Sequence, residues 1–288
     1  MAKTIAQGWQ EFHTRLTPTS TEEKGASGHR ETVESCLRDN LGMYRFARIG
    51  SFGNGTSITG YSDTDYIAVC PSDKLPDNSA NALVKVKGVL DDRFVFTEVK
   101  VRTPAVRLEF GTTAAQKTEI VPAYYKGTHN GYDVYGIADG DGKWMNASPD
   151  AHNEYVREVN DKHSGKVKKL IRYIKAWKYF RDVPISSFYL EMRTAKYADG
   201  ESSIVYSIDV QRVLKQMLDG GLARMQDPTG IGGYITPCST QAKHDDAIGK
   251  LETAVARAEK ACNAENAGNI ADAFDWWNKL YYYEFPKY

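Results

Sequence analysis

Apolar residues recur at helical spacing from the start of the chain: Ile5, Trp9, Phe12 and Leu16 fall on one face, and the pattern stops at Thr17-Pro18. This spacing predicts an amphipathic helix. Ser20 with Glu23 three residues later reads as a capping box, and a second helix is expected to run toward Asn40, its start weakened by Gly25 and Gly28. The periodicity then changes. Tyr44–Ile49 is apolar and aromatic enough for a strand, and it ends abruptly in a glycine-rich, polar segment that leads into the apolar run Tyr66–Cys70. Further strands are expected over Arg93–Val101, Val106–Phe110 and Glu119–Tyr124, with a short helix over Asn81–Asp91. Gly127–Asp150 is rich in Gly, Asp, Asn and Tyr and reads as a loop-rich connection between two halves.

Beyond it the pattern is helical. Val167, Leu170, Ile171, Ile174 and Trp177 form one apolar stripe, and Ile248, Leu251, Val255, Ala258 and Cys262 form another. A last helix is marked by Ile270, Ala273, Phe274, Trp277 and Leu280, after a break at Gly268-Asn269. Strands first and helices afterwards predict an α+β molecule of two lobes: a mixed sheet with flanking helices over residues 1–150, and a helical lobe over 151–288.

Composition narrows the class. The 288 residues are 41% apolar and 26% charged, ordinary values for a chain that buries a full core. Lys+Arg and Asp+Glu number 37 each, so any surface for a polyanion must be a local concentration of charge. Cys36, Cys70, Cys238 and Cys262 are scattered, which argues against a zinc site or a disulfide framework. No signal-peptide core and no uncharged apolar run near 18 residues is present. The expectation is a cytoplasmic protein with reduced thiols and no membrane contact. His152 and His163 lack ligand-like spacing and are expected to be surface or structural residues.

The segment with most chemistry is Gly50-Ser51-Phe52-Gly53-Asn54-Gly55-Thr56, followed by Ser62-Asp63-Thr64-Asp65 at the head of a strand. Strand residues two apart point to one face, roughly 6.5–7 Å apart. Asp63 and Asp65 would therefore repel, and a divalent cation would relieve the conflict. Taken alone, Ser62-Asp63-Thr64-Asp65 reads first as a polar turn whose side chains cap amides. Its neighbour changes the weighing, because Gly50-Ser51 follows a strand and the glycines allow a phosphate to approach the backbone. A third carboxylate is expected from an adjacent strand. Glu109 and Glu119 are the candidates; Glu119 is favoured because it opens the run Ile120-Val121-Pro122-Ala123, whereas Glu109 is expected to face solvent.

Between Lys162 and Arg181 there are eight Lys or Arg and no acid. On a helix Lys168, Arg172 and Lys175 share one face, either a solvated surface or a face from which Lys168 or Lys175 reaches phosphates. Ser186-Ser187-Phe188-Tyr189 follows, offering hydroxyls for phosphate and rings for a base, or else a helix cap followed by core aromatics.

Together these residues resemble the cGAS/DncV-like nucleotidyltransferases (CD-NTases) of bacterial anti-phage signalling, within the polymerase-beta-like superfamily. The pattern is carried by Gly50, Ser51, Gly55, Thr56, Ser62, Asp63 and Asp65, by Glu119 in TEIVPA where the family more often has Asp, and by KKLIRYIKAWK, SSFYLE, DPTG and the closing helices. The resemblance implies a polymerase-beta-like core packed against a C-terminal helical lobe. It implies two Mg²⁺ ions held by Asp63, Asp65 and Glu119, and NTP substrates such as ATP or GTP. The triphosphate would be held by Gly50, Ser51, Lys168 (or Lys175) and Ser187, with Phe188 or Tyr189 against a base. Either Glu119 or solvent would take the proton from the attacking hydroxyl. The product would be a cyclic di- or trinucleotide read by a downstream effector. The alternative is a nucleotidyltransferase that adds nucleotides to RNA or to a protein. A nucleic-acid activator has no support from the balanced net charge.

Overall fold

A computed structural model describes residues 3–19, 28–111 and 116–288. The Ser20–Glu23 capping box lies outside the described residues. Helix α1 (Ile5–Leu16) starts on Thr4, whose hydroxyl accepts from the Gln7 amide while the Gln7 side chain accepts from the Thr4 amide. Helix α2 (Arg30–Leu41) closes on Gly42 in the left-handed conformation that glycine adopts without strain. The chain continues through β1 (Arg45–Ile49), a single helical turn α3 (Gly50–Gly53), β2 (Thr64–Val69), α4 (Ser79–Arg93), β3 (Glu98–Arg102), β4 (Ala105–Phe110), β5 (Gln116–His129), β6 (Tyr132–Ala138) and β7 (Trp144–Ala147). It then becomes almost entirely helical: α5 (Pro149–Lys162), α6 (Lys166–Phe180), α7 (Ser187–Asp199), α8 (Tyr206–Asp219), α9 (Gln241–Asn266) and α10 (Ile270–Leu280). A small ribbon, β8 (Met225–Gln226) with β9 (Tyr234–Ile235), precedes α9.

The described strands form a seven-stranded mixed sheet of order β1-β2-β5-β4-β3, with β6 and β7 added beyond the far half of β5. Strand β2 runs parallel to β5, and the other pairs are antiparallel. Alternation assigns the faces. Tyr66, Ala68, Val106, Leu108 and Ile120 pack with Val33, Leu37, Val86 and Leu90 of α2 and α4. Ile67, Val69 and Ala123 lie on the opposite face. Asp65, Glu119 and Arg107 share the parity of that second face, so burial of one side of the sheet turns all three side chains to the other.

Two expectations are corrected. The stretch 127–150 is not a loop but the end of β5, the β5–β6 hairpin and β7. Asn130 and Gly131 both take positive φ (51° and 82°), which suits the two-residue turns that fit the twist of a hairpin. Arg93 closes α4 instead of opening a strand, and β3 begins only at Glu98.

Helix α1 packs with the later helices and not on the sheet. Trp9 lies 4.9 Å from the Trp277 ring and 4.7 Å from that of Tyr173. Its neighbours Phe12 and Leu16 join the same core as α6, α7, α8 and α10. No described helix is long and apolar enough to cross a membrane.

Candidate functional site

Register brings the acidic residues together. Asp65 is the partner of Glu119 across β2–β5, and Glu119 is the partner of Arg107 across β5–β4. Asp63 stands two residues before Asp65, just ahead of the strand. The Arg107 guanidinium ties the group: Nε donates to Glu119 Oε1 at 2.8 Å, and Nη2 donates to Asp63 Oδ2 at 2.7 Å. Burial, followed by the charges of Glu119 and Asp63, pushes the Asp65 carboxyl well above its ordinary range. Burial also raises Asp63, against the pull of Arg107. Three carboxylates are thus crowded onto one patch with an arginine as their counter-ion. Among the described residues no three acidic, His or Cys side chains are grouped so that together they could hold a metal ion as they stand. The donor chemistry still fits a hard divalent cation, because oxygen ligands that repel one another and resist ionisation are what such a cation relieves. Glu109 is not turned to solvent as expected. Its side chain is 14% exposed and stands 3.9 Å from Lys100, one register step beyond Arg107 on the same face.

Gly50 lies against this patch. Its φ is +60°, and a Cβ there would sit 2.1 Å from Asp65 Oδ2, so only glycine lets the turn after β1 close over the carboxylate. Ser51 follows in α3, where its carbonyl accepts from the Thr56 amide at 2.8 Å and folds the glycine-rich loop back on itself.

The loop is fastened from the helical side. Glu191, buried on α7, accepts from Asn54 Nδ2 and, at 2.8 Å, from the Thr56 hydroxyl. Lys175, fully buried on α6, donates to Thr56 O at 3.1 Å and lies 3.5 Å from Glu191 Oε2. Arg172 Nε donates to Ser57 O at 3.0 Å. Lys175 is therefore not a phosphate ligand, which corrects one of the two expected positions: its ammonium is consumed inside the protein. The basic face of α6 is likewise not a solvated one, since the loop covers it. Lys168 stays half-buried at its N-terminal end, with Nζ 3.9 Å from where a Cβ on Gly55 would stand.

Ser186 caps α7 by accepting from the Tyr189 amide at 3.3 Å, and Ser187 Oγ lies 3.1 Å from the Tyr179 hydroxyl. Burial raises the Tyr179 hydroxyl; Ser187 opposes this while the charges of Asp63 and Asp65 add to it, so Ser187 and Tyr179 border the acidic patch. Lys178 lies on the same border. Burial and then the charge of Lys175 push it down to about 8, opposed by Asp63. Of the two aromatic candidates, Tyr189 is core: it is fully buried and its hydroxyl donates to Ala223 O at 2.8 Å. Phe188 is 42% exposed and meets the His152 ring edge-on at 4.9 Å. His152 and His163 are structural, bonded to Asp227 at 3.0 Å and to Ala198 O at 2.7 Å.

Arg107, Lys178, Tyr179 and Glu191 were not singled out from the sequence. Arg107 had a signal, because it alternates with Val106 and Leu108 on a predicted strand and stands two residues from Glu109, one of the two candidate acids. Glu191 had a fainter one, as the lone acid in the otherwise apolar turn Phe188-Tyr189-Leu190-Glu191-Met192.

A mixed sheet carrying two aspartates and a glutamate beside a glycine-rich turn, closed by a helical half, defines a polymerase-beta-like nucleotidyltransferase. Residues 3–160 match the Second Messenger Oligonucleotide or Dinucleotide Synthetase domain, and the chain belongs to that family, a branch of the CD-NTases. It is 29% identical over 260 residues to a probable cyclic nucleotide synthase of Bacillus cereus (strain VD146), covering 82% of this chain and 75% of that protein. It is 24% identical over 311 residues to a cyclic AMP-AMP-AMP synthase of Acinetobacter sp. (strain ATCC 27244 / 9458), covering 99% and 86%. In fold it is similar to the ATP-bound CdnC of E. coli MS115-1, with a TM-score of 0.73, 17% identity and coverage of 97% and 98%.

Proposed function

We propose that this nucleotidyltransferase joins NTPs, through the sugar hydroxyl of one and the α-phosphorus of the next, into a cyclic di- or trinucleotide second messenger. The single observation that carries the reading is the Asp65–Glu119 register pair beside Asp63 and Gly50. It puts three oxygen donors and a close-approach glycine on one patch. Asp63, Asp65 and Glu119 hold magnesium in this reading, and when bound it supplies acidification of the acceptor hydroxyl and neutralisation of the departing pyrophosphate. The chain's own groups do the rest. Ser51, Lys168 and Ser187 hold the triphosphate in line with the attacking oxygen. Phe188, the exposed ring, stacks on a base. Arg107 keeps Glu119 oriented and gives up Asp63 when the site fills.

The division near residue 150 is part of the same reading, with α1 assigned to the helical half by its packing. The names of the two curated relatives support cyclisation over tailing of RNA or protein. A role in anti-phage defence through a downstream effector, in the cytoplasm, follows by analogy with the CD-NTases. The test is incubation with the four NTPs and magnesium alone, read by mass spectrometry before and after phosphatase. A small phosphatase-resistant product is expected. Label transferred only to added RNA or protein would replace this reading with the tailing one.

A further inference from the structure

Helix α6 has a second occupied side. Between α6, α9 and the end of α10 lies a cavity of about 410 Å³, with Trp177 and Leu280 as apolar lining and Arg181, Arg257 and Lys250 as cations. Arg181 donates from Nε to Leu280 O at 3.0 Å and from Nη2 to Lys279 O, while Arg257 Nη1 donates to Lys279 O at 3.0 Å. Two guanidiniums thus converge on the negative end of one helix.

Among the described residues neither guanidinium has a carboxylate within 4.0 Å. The two acids that line the cavity are engaged elsewhere: Asp246 with Lys250 at 2.9 Å, and Asp245 with Gln241 at 2.7 Å. Burial, then the Arg257 charge, holds the Arg181 guanidinium below its ordinary range. Each guanidinium carries five N–H donors. The helix end takes two from Arg181 and one from Arg257. The Tyr282 ring lies 4.8 Å from the Arg181 guanidinium carbon. Adjacent like charges half-removed from water are unfavourable unless an anion joins them. Phosphate oxygens match the planar fork of a guanidinium, and a tetrahedral anion can be shared between two such forks.

We propose that this cavity binds a phosphoryl group between Arg181 and Arg257. The group can belong to free phosphate, to pyrophosphate or to a nucleotide. Because Trp177 and Arg181 ride on the helix that carries Lys168, Arg172 and Lys175, an occupant here bears on the helix that fastens the glycine-rich loop.

The test is isothermal titration of the full chain with phosphate, pyrophosphate and AMP, in chloride buffer of matched ionic strength and without divalent cation. Wild type is compared with Arg257→Gln and with Thr253→Glu. The second variant keeps both guanidiniums and their helix contacts while adding a carboxylate to the cavity wall. Both variants are expected to bind at least about tenfold more weakly than wild type, Arg257→Gln by losing a charge-assisted contact and Thr253→Glu by setting a like charge against the anion. Binding by phosphate and pyrophosphate marks the site as one for the free anion; binding by AMP alone marks a nucleotide. Unchanged affinity for all three probes in both variants, or no binding to wild type at millimolar concentration, overturns the proposal.

Discussion

Arg107 and Glu119 face each other across the β4–β5 pair, joined by an Nε–Oε1 hydrogen bond of 2.8 Å, and the same guanidinium reaches Asp63. An internal cation therefore balances the acidic patch. Replacing it should leave carboxylates that only an added cation can reconcile. Arg107→Ala is expected to melt at lower temperature than wild type without divalent ions and to gain more stability from magnesium. Thermal melts with and without magnesium chloride check this. An equal magnesium-induced shift in both proteins would show that Arg107 does not stand in for the metal.

Asp63→Asn combined with Asp65→Asn should abolish product formation while leaving melting temperature equal or higher, since two mutually repelling acids become neutral. Retained incorporation of labelled triphosphate would falsify the assignment of these residues as metal holders.

Lys168 and Lys175 should separate cleanly. Lys168→Ala is expected to raise the apparent KM for NTP several-fold with little loss of stability. Lys175→Ala leaves Glu191 buried without its cation, a defect worth about 3–5 kcal/mol. Replacing both by Met should recover much of that loss. If Lys175→Ala folds as stably as wild type and shifts only KM, Lys175 returns to the phosphate site.

Gly50→Ala brings a methyl group against Asp65 Oδ2 and costs about 1–2 kcal/mol for the left-handed backbone. The expected result is a folded protein with product formation reduced by more than tenfold. Full activity in the alanine variant would mean that the turn can move off the carboxylate without consequence.

Lys178 gives a pH dependence. Its folded value is about 8 against an ordinary 10.5, so between these limits the unfolded chain binds the extra proton. Its contribution to stability therefore rises with pH from about 8 to about 10.5 and is constant below 8. Lys178→Met should stabilise the protein at pH 7 more than at pH 10. Denaturant melts at the two values decide it, and an equal gain at both would remove the titration.

Much of the architecture is legible in the residue pattern. Alternation at Val106-Arg107-Leu108 and the apolar run after Asp65 give the strands, and the stripe through Leu170, Ile174 and Trp177 gives α6. Register is not legible, because nothing local states that residue 65 stands beside 119. That is why Arg107, fixed only by a cross-strand partner, was passed over. Lys175 was misassigned for a related reason. Helical spacing shows which residues share a face, but not that a loop from more than a hundred positions earlier will cover it. The Asn130-Gly131 hairpin was readable and was masked by the polar composition around it.

The attachment of Thr56 and Asn54 to Glu191 has a mechanical corollary. The glycine-rich turn is bolted to the helices, whereas the acids belong to the sheet. A slide of one layer over the other by even an ångström would carry the cradle away from the carboxylates without breaking a strand. Under the proposed function, whatever governs that slide would govern the chemistry without touching the reacting atoms.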